Sequence, residues 1–378
     1  MRILVINHRD WMNPRAGGVE EVVYQTTTRW AAWGHDVRLL VSSFAGAKET
    51  DFKCEGVRII RSGREELFNW IVPLCHRALL RDADVIVEHL SKVACMLPWF
   101  TRKPIVGYYY HLFGDSLFGN VFLPVAWYVR AMERLAVRVY GRCPAIVISK
   151  STAAELEQYG MSADQMQVVY CGMNLKLFRP ANPDHKTPHP SIVWVGRVRK
   201  TKGVTLALDA FELVARRLPE ARLTIVGTGD FEGELRRMVQ DRGLQDRVTM
   251  AGYLDIQQLC EQMQRAWVLA YPSPKEGWGL CVIEAGACGT PSVASNSPGL
   301  REAVRDGETG LLVPHGDIAA LAEKLALVLT DAPLRQRLGA AAVQWANQFS
   351  WDDTARRALA VVESAYRFRA TTPTDTTK

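Results

Sequence analysis

The stretch IVWVGRVRKTKGVTLALDAFELVARRLPEARLTIV, residues 192–226, decides the fold. It opens on an apolar run, Ile192–Gly196, and crosses a basic loop to Gly203. Leu206, Ala210, Leu213 and Val214 then recur at helical spacing, and Leu223–Val226 reads as a second strand. The same plan stands at the other end of the chain. Arg2–Ile6 is a strand, a polar loop ends in Gly17-Gly18, Val22, Val23, Thr26 and Trp30 trace a helix, and Val37–Val41 follows Gly34 as a strand. Strand–loop–helix–strand units build parallel sheets with helices on both faces, so the expected class is α/β, with two doubly wound domains in 378 residues.

Between these units the sequence FRPANPDHKTPHP, residues 178–190, carries four prolines and no periodicity. Proline fixes φ and removes an amide donor, so this segment reads as a linker. The expected domains are 1–180 and 181–351. A last helix over about 352–368, with Ala355, Leu359, Val362 and Ala365 on one face, is expected to pack back on the first domain. The tail from 371 to 378, TTPTDTT and a terminal lysine, reads as polar and disordered.

Composition narrows the class further. With 48% apolar and 23% charged residues the chain has ample material for a large core, which excludes a disordered or collagen-like protein. Uninterrupted apolar runs fall well short of the ~20 residues a bilayer-spanning helix needs. The opening MRILVINHRD turns polar too soon for a signal peptide, so a cytoplasmic protein is expected. Eight cysteines without a CxxC pair read as reduced thiols and not as a metal site. The net charge of +6 is concentrated between Lys53 and Lys150, where 14 basic residues face 8 acidic ones. Such a surface attracts phosphate groups without choosing among nucleotides, lipids and nucleic acid. Within it Arg130, Arg134, Arg138 and Arg142 recur every four residues beside Val129, Met132, Leu135, Ala136 and Val139. This is either a core helix with a solvated basic edge or a surface for anionic lipid or a phosphorylated acceptor.

The residues suited to chemistry cluster at strand ends, where open parallel sheets bind ligands. After Ala270-Tyr271 comes Pro-Ser-Pro-Lys-Glu276-Gly277-Trp-Gly279, and a helix begins at about Leu280 and carries Glu284. Glycines let the backbone approach a ligand, and a helix N-terminus offers free amides to an anion. Arg197 directly follows Val-Gly, and Lys202 closes the next loop; two cations there suit a diphosphate whose charge grows as it leaves. His111 follows the strand Ile105–Gly107 and Tyr108-Tyr-Tyr110. Gly17-Gly18 opens the first helix. Taken singly, each has a plainer reading: a helix-capping acid, a solvated loop, a core histidine, a turn. Neither Gly17-Gly18 nor Gly227-Thr-Gly229, with Glu232 in the third glycine's place, fits G-x-G-x-x-G, which argues against a nicotinamide or flavin enzyme. Asp82-Ala-Asp84 precedes the strand Val85–Val87, at the end away from ligands, and reads as a solvated turn.

Together these pieces resemble the retaining glycosyltransferases of family 4, glycosyl transferases group 1, which have the GT-B fold. The matching segments are GGVE (17–20), WGHDVRLL (33–40), VISKSTAAELEQYG (147–160), VVYCGMNLKLF (168–178), VGRVRKTKG (195–203), VGTGD (226–230), YPSPKEGWGLCVIEAGACGTPSVAS (271–295) and DGETGLLVPHGD (306–317). They follow the family's order along nearly the whole chain, and the match is poorest over 53–145. The most specific is the longest, in which Glu276 and Glu284 are separated by seven residues. The resemblance implies two Rossmann-like domains facing a central cleft. It implies that Arg197 and Lys202 bind the departing diphosphate, Glu276 holds the donor sugar's hydroxyls, Glu284 holds the ribose and His111 faces the transferred sugar. Gly17 and Gly18 would approach the donor phosphates, Gly277, Gly279 and Leu280 would line the donor site, and Tyr253 and Leu254 would pack on the base. Two segments depart from the pattern: Cys171-Gly-Met-Asn174 stands where Asn-Gly-Val-Asp is common, and Ser297-Pro-Gly299-Leu300 replaces a more glycine-rich loop.

The expected reaction moves a hexose from a UDP- or GDP-linked donor to an acceptor hydroxyl with retention. It needs neither metal nor other cofactor, and the acceptor is a cell-envelope polysaccharide or glycolipid reached at the inner face of an anionic membrane. Nucleic acid is not an expected partner. A GT-B-fold nucleotide-sugar epimerase, a transferase for a small natural-product acceptor and a catalytically idle sugar-nucleotide binder remain open alternatives. Incubating the donor without acceptor, and looking for a new epimer or for hydrolysis, separates them.

Overall fold

A computed structural model describes residues 1–47, 49–91, 93–114, 122–182 and 185–371. The chain divides into two compact units, Met1–Gly172 with Trp351–Lys378, and Met173–Ser350. The division falls after Gly172 and not after residue 180, because the segment from Met173 onward is bonded to the second unit. Met173 pairs with Ser350 and its amide reaches Phe349 O at 3.2 Å, while Cys260 Sγ donates to Leu177 O. Of the tail read as disordered, 371–378, Thr371 closes the last helix, and 372–378 lie outside the described residues.

The first unit is built on an eight-stranded sheet. In chain order its strands are β1 (Arg2–Ile6), β2 (Asp36–Val41), β3 (Asp51–Cys54), β4 (Val57–Arg61), β5 (Val85–Leu90), β6 (Ile105–Tyr109), β7 (Ala145–Val147) and β8 (Met166–Val168). Their spatial order is β3-β4-β2-β1-β5-β6-β7-β8, parallel throughout except for β3, which runs antiparallel to β4. The β3–β4 hairpin was not anticipated. Its two-residue turn, Glu55-Gly56, has φ of 48° and 83°, the left-handed pair that matches strand twist.

Alternation along β1 and β5 sends Leu4, Ile6, Ile86 and Leu90 to one face. There they join Phe68 and Val72 of α2 (Phe68–Cys75), Leu80 of α3 (Arg77–Asp82), and Ala136, Val137 and Tyr140 of α4 (Leu123–Tyr140) in one apolar core. The helix α1 (Gly18–Ala32) buries Val22, Val23, Thr26 and Trp30, as its spacing predicts. It packs on the last helix of the chain: Trp30 Nε1 donates to Ala355 O at 2.9 Å, and Arg29 pairs with Asp352. That helix, α13 (Trp351–Thr371), buries Ala355, Leu359, Val362 and Ala365 and lies in the first unit. Also in this unit is α5 (Lys150–Gln158), capped by Ser149 Oγ on Thr152 N.

The second unit carries a six-stranded, all-parallel sheet in the order β11-β10-β9-β12-β13-β14. Its strands are β9 (Ser191–Val195), β10 (Arg222–Val226), β11 (Val248–Gly252), β12 (Val268–Tyr271), β13 (Ser292–Ser295) and β14 (Gly310–Val313). Their connections carry α6 (Val204–Arg217), α7 (Glu232–Asp241), α8 (Ile256–Arg265), α9 (Leu280–Ala287) and α10 (Leu300–Ala303), with α11 (Ile318–Thr330) and α12 (Ala332–Ala346) after β14. The buried face of α6 is Val204, Ala207, Leu208, Phe211, Val214 and Ala215 with Ala210. Leu206 and Leu213, expected in the core, are only partly buried because they lie on the flank of that stripe.

Three local expectations need correction. Asp82 and Asp84 are not simply solvated: Asp82 pairs with Arg2 and Arg38, and Asp84 with Arg2, at the N-terminal end of β5. Along α4 the buried positions are Ala126, Glu133, Ala136, Val137 and Tyr140, while Val129, Met132, Leu135 and Val139 are partly exposed. Arg142 falls beyond the helix, so the basic edge is Arg130, Arg134 and Arg138. The eight cysteines, which the notion of a packed interior would mostly bury, are all free thiols, and four of them, Cys95, Cys171, Cys260 and Cys288, are buried. None of the helices searched among the described residues is long and apolar enough to cross a membrane.

Candidate active site

In the second unit the loops at the carboxyl ends of β9, β10, β12 and β13 are pressed together backbone to backbone. Gly203 ends the loop after β9 with φ +72°, and a Cβ there would stand 2.2 Å from Pro272 O. That approach sets Lys202 beside the segment after β12. Lys202 Nζ donates to both oxygens of Glu276, at 2.8 and 3.0 Å. Ser273 Oγ donates to Glu276 Oε1 at 2.7 Å, and Tyr271 OH approaches the same oxygen at 3.3 Å. The backbone of Glu276 is held as well, by its amide on Pro298 O at 3.1 Å, and Ser297 Oγ donates to Ser273 O at 2.8 Å. A Cβ at Gly299, φ +79°, would meet Glu276 O at 2.3 Å. The departing segment Ser297–Leu300 is thus a brace under Glu276.

Gly277 and Trp278 carry the chain from Glu276 to Gly279, which caps the N-terminus of α9 with a left-handed backbone. Leu280 begins the helix and Glu284 lies on its second turn, partly exposed. Cys281, between Leu280 and Glu284 on this helix, feels both ends of the segment. Burial raises the Cys281 thiol, the charges of Glu284 and Glu276 raise it further, and Lys202 opposes them. Burial also pushes the Tyr271 phenol well up, with Glu276's charge adding to it. Arg197 stands exposed two residues past β9, beside the β10 loop, where Gly227's Cβ would meet Gly196 O at 1.9 Å. Tyr253 and Leu254 follow β11, whose Gly252 O accepts the Gly227 amide at 2.7 Å; Tyr253 is 80% exposed and presents a free aromatic face. Lys202 and Glu276, chosen from sequence, are therefore bonded to each other, Glu284 follows on the next helix, and Arg197 and the Tyr253-Leu254 pair stand on neighbouring loops of the same sheet edge.

Chemically, the cluster offers a cation and a helix N-terminus to an anionic ligand, with carboxylates for hydroxyl groups. An ammonium has three N–H donors, and two of Lys202's are spent on Glu276, which leaves one for a phosphate oxygen without breaking the pair. Sequence reasoning missed Ser273 and Tyr271 as anchors of Glu276. Their signal was their nearness: both lie within five residues of Glu276 in the quoted run.

In the first unit Gly17 caps α1 and Gly18 is its first residue. The Gly17 amide is already engaged by Glu20 Oε2 at 2.8 Å. The loop before it is pinned by Asp10, fully buried against Arg61 at 2.7 Å, and by Glu65, which joins Arg9 and Arg15. His111 lies two residues past β6, partly buried, with its ring edge-on to Phe113 at 5.3 Å. The preceding Tyr110 is anchored twice, by its hydroxyl at 2.6 Å from His89 Nδ1 and by its carbonyl, which accepts from Thr152 Oγ1 at 2.9 Å. After His111, the Leu112 amide reaches Glu155 of α5, and the Phe113 and Gly114 amides reach Glu133 of α4. Glu133, Glu155 and His89 had not been anticipated.

The Glycosyltransferase Family 4 model matches residues 16–177, and the Glycosyl transferases group 1 model matches residues 178–345. Glycogen synthase of Mycobacterium tuberculosis is 29% identical over 400 aligned residues, covering 97% of this chain and 95% of that protein. Phosphatidyl-myo-inositol mannosyltransferase of Mycobacterium leprae is 29% identical, covering 92% of this chain and 93% of that protein. Among solved structures, sucrose-phosphate synthase from Thermosynechococcus elongatus superposes with a TM-score of 0.83 at 26% identity, over 98% of this chain and 99% of that one. HepE of Anabaena, in complex with UDP and glucose, shares the fold with a TM-score of 0.78 at 19% identity, over 96% of this chain and all of that one (100%). The two matched models abut and together cover residues 16–345 of the chain, which is a glycosyltransferase of family 4 with the GT-B fold.

Proposed function

We propose that the chain is a retaining hexosyltransferase that takes its sugar from a UDP- or GDP-linked donor and needs no metal. The observation that carries this reading is the Lys202–Glu276 pair at the sheet's carboxyl edge, next to the N-terminus of α9. In this reading Lys202 and Arg197 bind the diphosphate and neutralise it as it departs, the role a divalent cation plays elsewhere. Glu276 orients the sugar hydroxyls, Glu284 the ribose, and Tyr253 and Leu254 cover the base. His111 supplies a hydrogen bond to the reacting sugar, and Gly18 offers its amide to the donor phosphates.

Retention follows from attack on the face from which the leaving group departs. The bond between the anomeric carbon and the phosphate oxygen breaks, a bond to the acceptor oxygen forms, and the acceptor's proton passes to the departing phosphate. A covalent route through Glu276 is disfavoured, because its carboxylate already accepts from Lys202, Ser273 and Tyr271 and is a poor free nucleophile.

The acceptor in this reading is a cell-envelope polysaccharide or glycolipid, met at the cytoplasmic face of an anionic membrane. Supporting it, α2, the segment before β6 and the start of α4 expose Trp70, Trp99, Phe122 and Trp127, and α4 itself exposes Arg134 and Arg138, with Arg130 5.9 Å from the Trp127 ring. Aromatic side chains beside cations suit a headgroup layer. Binding to phosphatidylglycerol vesicles is expected to weaken when Arg134 and Arg138 become Gln; binding unchanged by that substitution removes the lipid reading.

The donor is tested by thermal unfolding against a panel of nucleotide sugars. One UDP- or GDP-hexose at about 100 times its Kd is expected to stabilise the chain by about 2.7 kcal/mol. A panel in which no nucleotide sugar moves the melting temperature contradicts the reading.

A further inference from the structure

The turn that carries His111 is held by a side chain from a different layer of the first unit. Glu133 is 8% exposed in the middle of α4, and its two oxygens accept the Phe113 amide at 2.6 Å and the Gly114 amide at 3.0 Å. Gly114 has φ +52°, a left-handed backbone that glycine holds without strain directly after the two bonded amides. A charge-assisted pair of this kind is stronger and more directional than neutral hydrogen bonds.

Glu133 lies in the buried register of the helix, seven residues after Ala126 and seven before Tyr140, both fully buried. An apolar residue would be the ordinary occupant of such a position. Arg134 and Arg138, on the same helix, are exposed, as are Trp127 and Tyr128 near its start. One helix therefore carries the outward basic and aromatic surface and, on its inward side, the carboxylate that fixes the His111 turn.

We propose that Glu133 is a positioning residue: it sets the placement of the His111 imidazole and makes that placement depend on α4. The proposal rests on the reading that His111 meets the reacting sugar. Shifting a group by about 1 Å is enough to cost on the order of 100-fold in rate. Glu133→Gln keeps one acceptor and turns the other into an amide donor facing a backbone N–H, so it displaces the turn with little change in volume. Glu133→Asp keeps both acceptors on a shorter stem.

The test labels histidine Cε1 with carbon-13 and assigns the His111 signal by its loss in His111→Gln. Glu133→Gln is expected to move the His111 signal and leave that of His315, in the second unit, in place; Glu133→Asp is expected to move it less. Nucleoside diphosphate release from UDP-glucose and GDP-mannose is measured in parallel. With the donor that the wild type cleaves, turnover in Glu133→Gln is expected to fall roughly 10- to 100-fold, with donor KM within about twofold, and to recover in part in Glu133→Asp. The double variant Glu133→Gln/His111→Gln is expected to match His111→Gln alone.

An unmoved His111 signal overturns the proposal whether or not either donor is cleaved. So does full turnover in Glu133→Gln, or a double variant slower than His111→Gln by a further independent factor. If His111→Gln itself turns over normally, the reading of His111 at the sugar fails and the positioning role falls with it. If only Glu133→Gln is without effect, the positioning role alone is lost.

Discussion

The two units hold their candidate residues in different ways. In the second, Lys202, Glu276, Ser273 and Tyr271 bond to one another side chain to side chain, and three of the four lie within six consecutive residues. In the first, the His111 segment is held through its backbone amides by Glu133 and Glu155, twenty and forty-odd positions away in sequence. Side-chain partners that sit close together leave a motif in the sequence. An amide can be satisfied by a carboxylate from anywhere in the fold, so the amino acids at 111–114 carry no sign of it.

That contrast is sharpest where backbone approach matters. Gly203→Ala places a Cβ against Pro272 O and asks an L-residue to hold φ +72°. The expected cost is roughly 2–4 kcal/mol of stability in chemical denaturation, with loss of nucleotide-sugar binding as Lys202 is pushed from Glu276. A variant of wild-type stability would mean that the two loops are not packed as tightly as described.

The first unit depends more on buried polar side chains, and pH exposes this. His89 is fully buried against Tyr108 and Tyr110, and burial pushes its pKa down to about 3. The folded state keeps the ring neutral, whereas the unfolded chain takes up a proton below about 6.5. Its contribution is therefore intact above pH 6.5 and is lost as the pH falls toward 3. Between pH 7 and pH 5 this amounts to about 2 kcal/mol. In urea titrations Glu or Asp groups shift the curves too, so the comparison is with His89→Gln, which is expected to lose about 2 kcal/mol less over that interval. Equal losses in both proteins would show that His89 is not held neutral.

The smallest effect expected is at Ser273. Ser273→Ala removes one hydroxyl from Glu276 while Lys202 and Tyr271 remain, which should raise the barrier to donor cleavage by about 1 kcal/mol, or roughly fivefold. A loss of several hundredfold would make Ser273 a principal group instead of an anchor.

Much of the architecture was legible because hydrophobic periodicity is local. The strands of both βαβ units, the Val22–Trp30 stripe and the last helix follow directly from residue spacing. The β3–β4 hairpin escaped because its turn is Glu55-Gly56, without the Asn-Gly or Asp-Gly signal, and its strands are four and five residues long. The linker boundary was misplaced because prolines mark irregular backbone, while the division itself depends on where Met173 to Arg179 find their partners. The α4 stripe was read by charge, and charge pointed to its outer edge. Its inner edge holds Glu133, an acid in a buried register, visible only as a break in an apolar heptad: Ala126, Glu133, Tyr140.

The claim on which the rest depends is that Lys202 neutralises a departing diphosphate. It is tested by donor cleavage at saturating nucleotide sugar in Lys202→Ala, with a thermal melt of the same sample. Lys202 is only partly buried, so the melting temperature is expected to stay within about 3 °C of wild type. Turnover is expected to fall by roughly 10²–10³, the loss of about 3–4 kcal/mol that follows removal of one well-aimed electrostatic group. A folded Lys202→Ala protein that cleaves the donor at the wild-type rate would contradict the account.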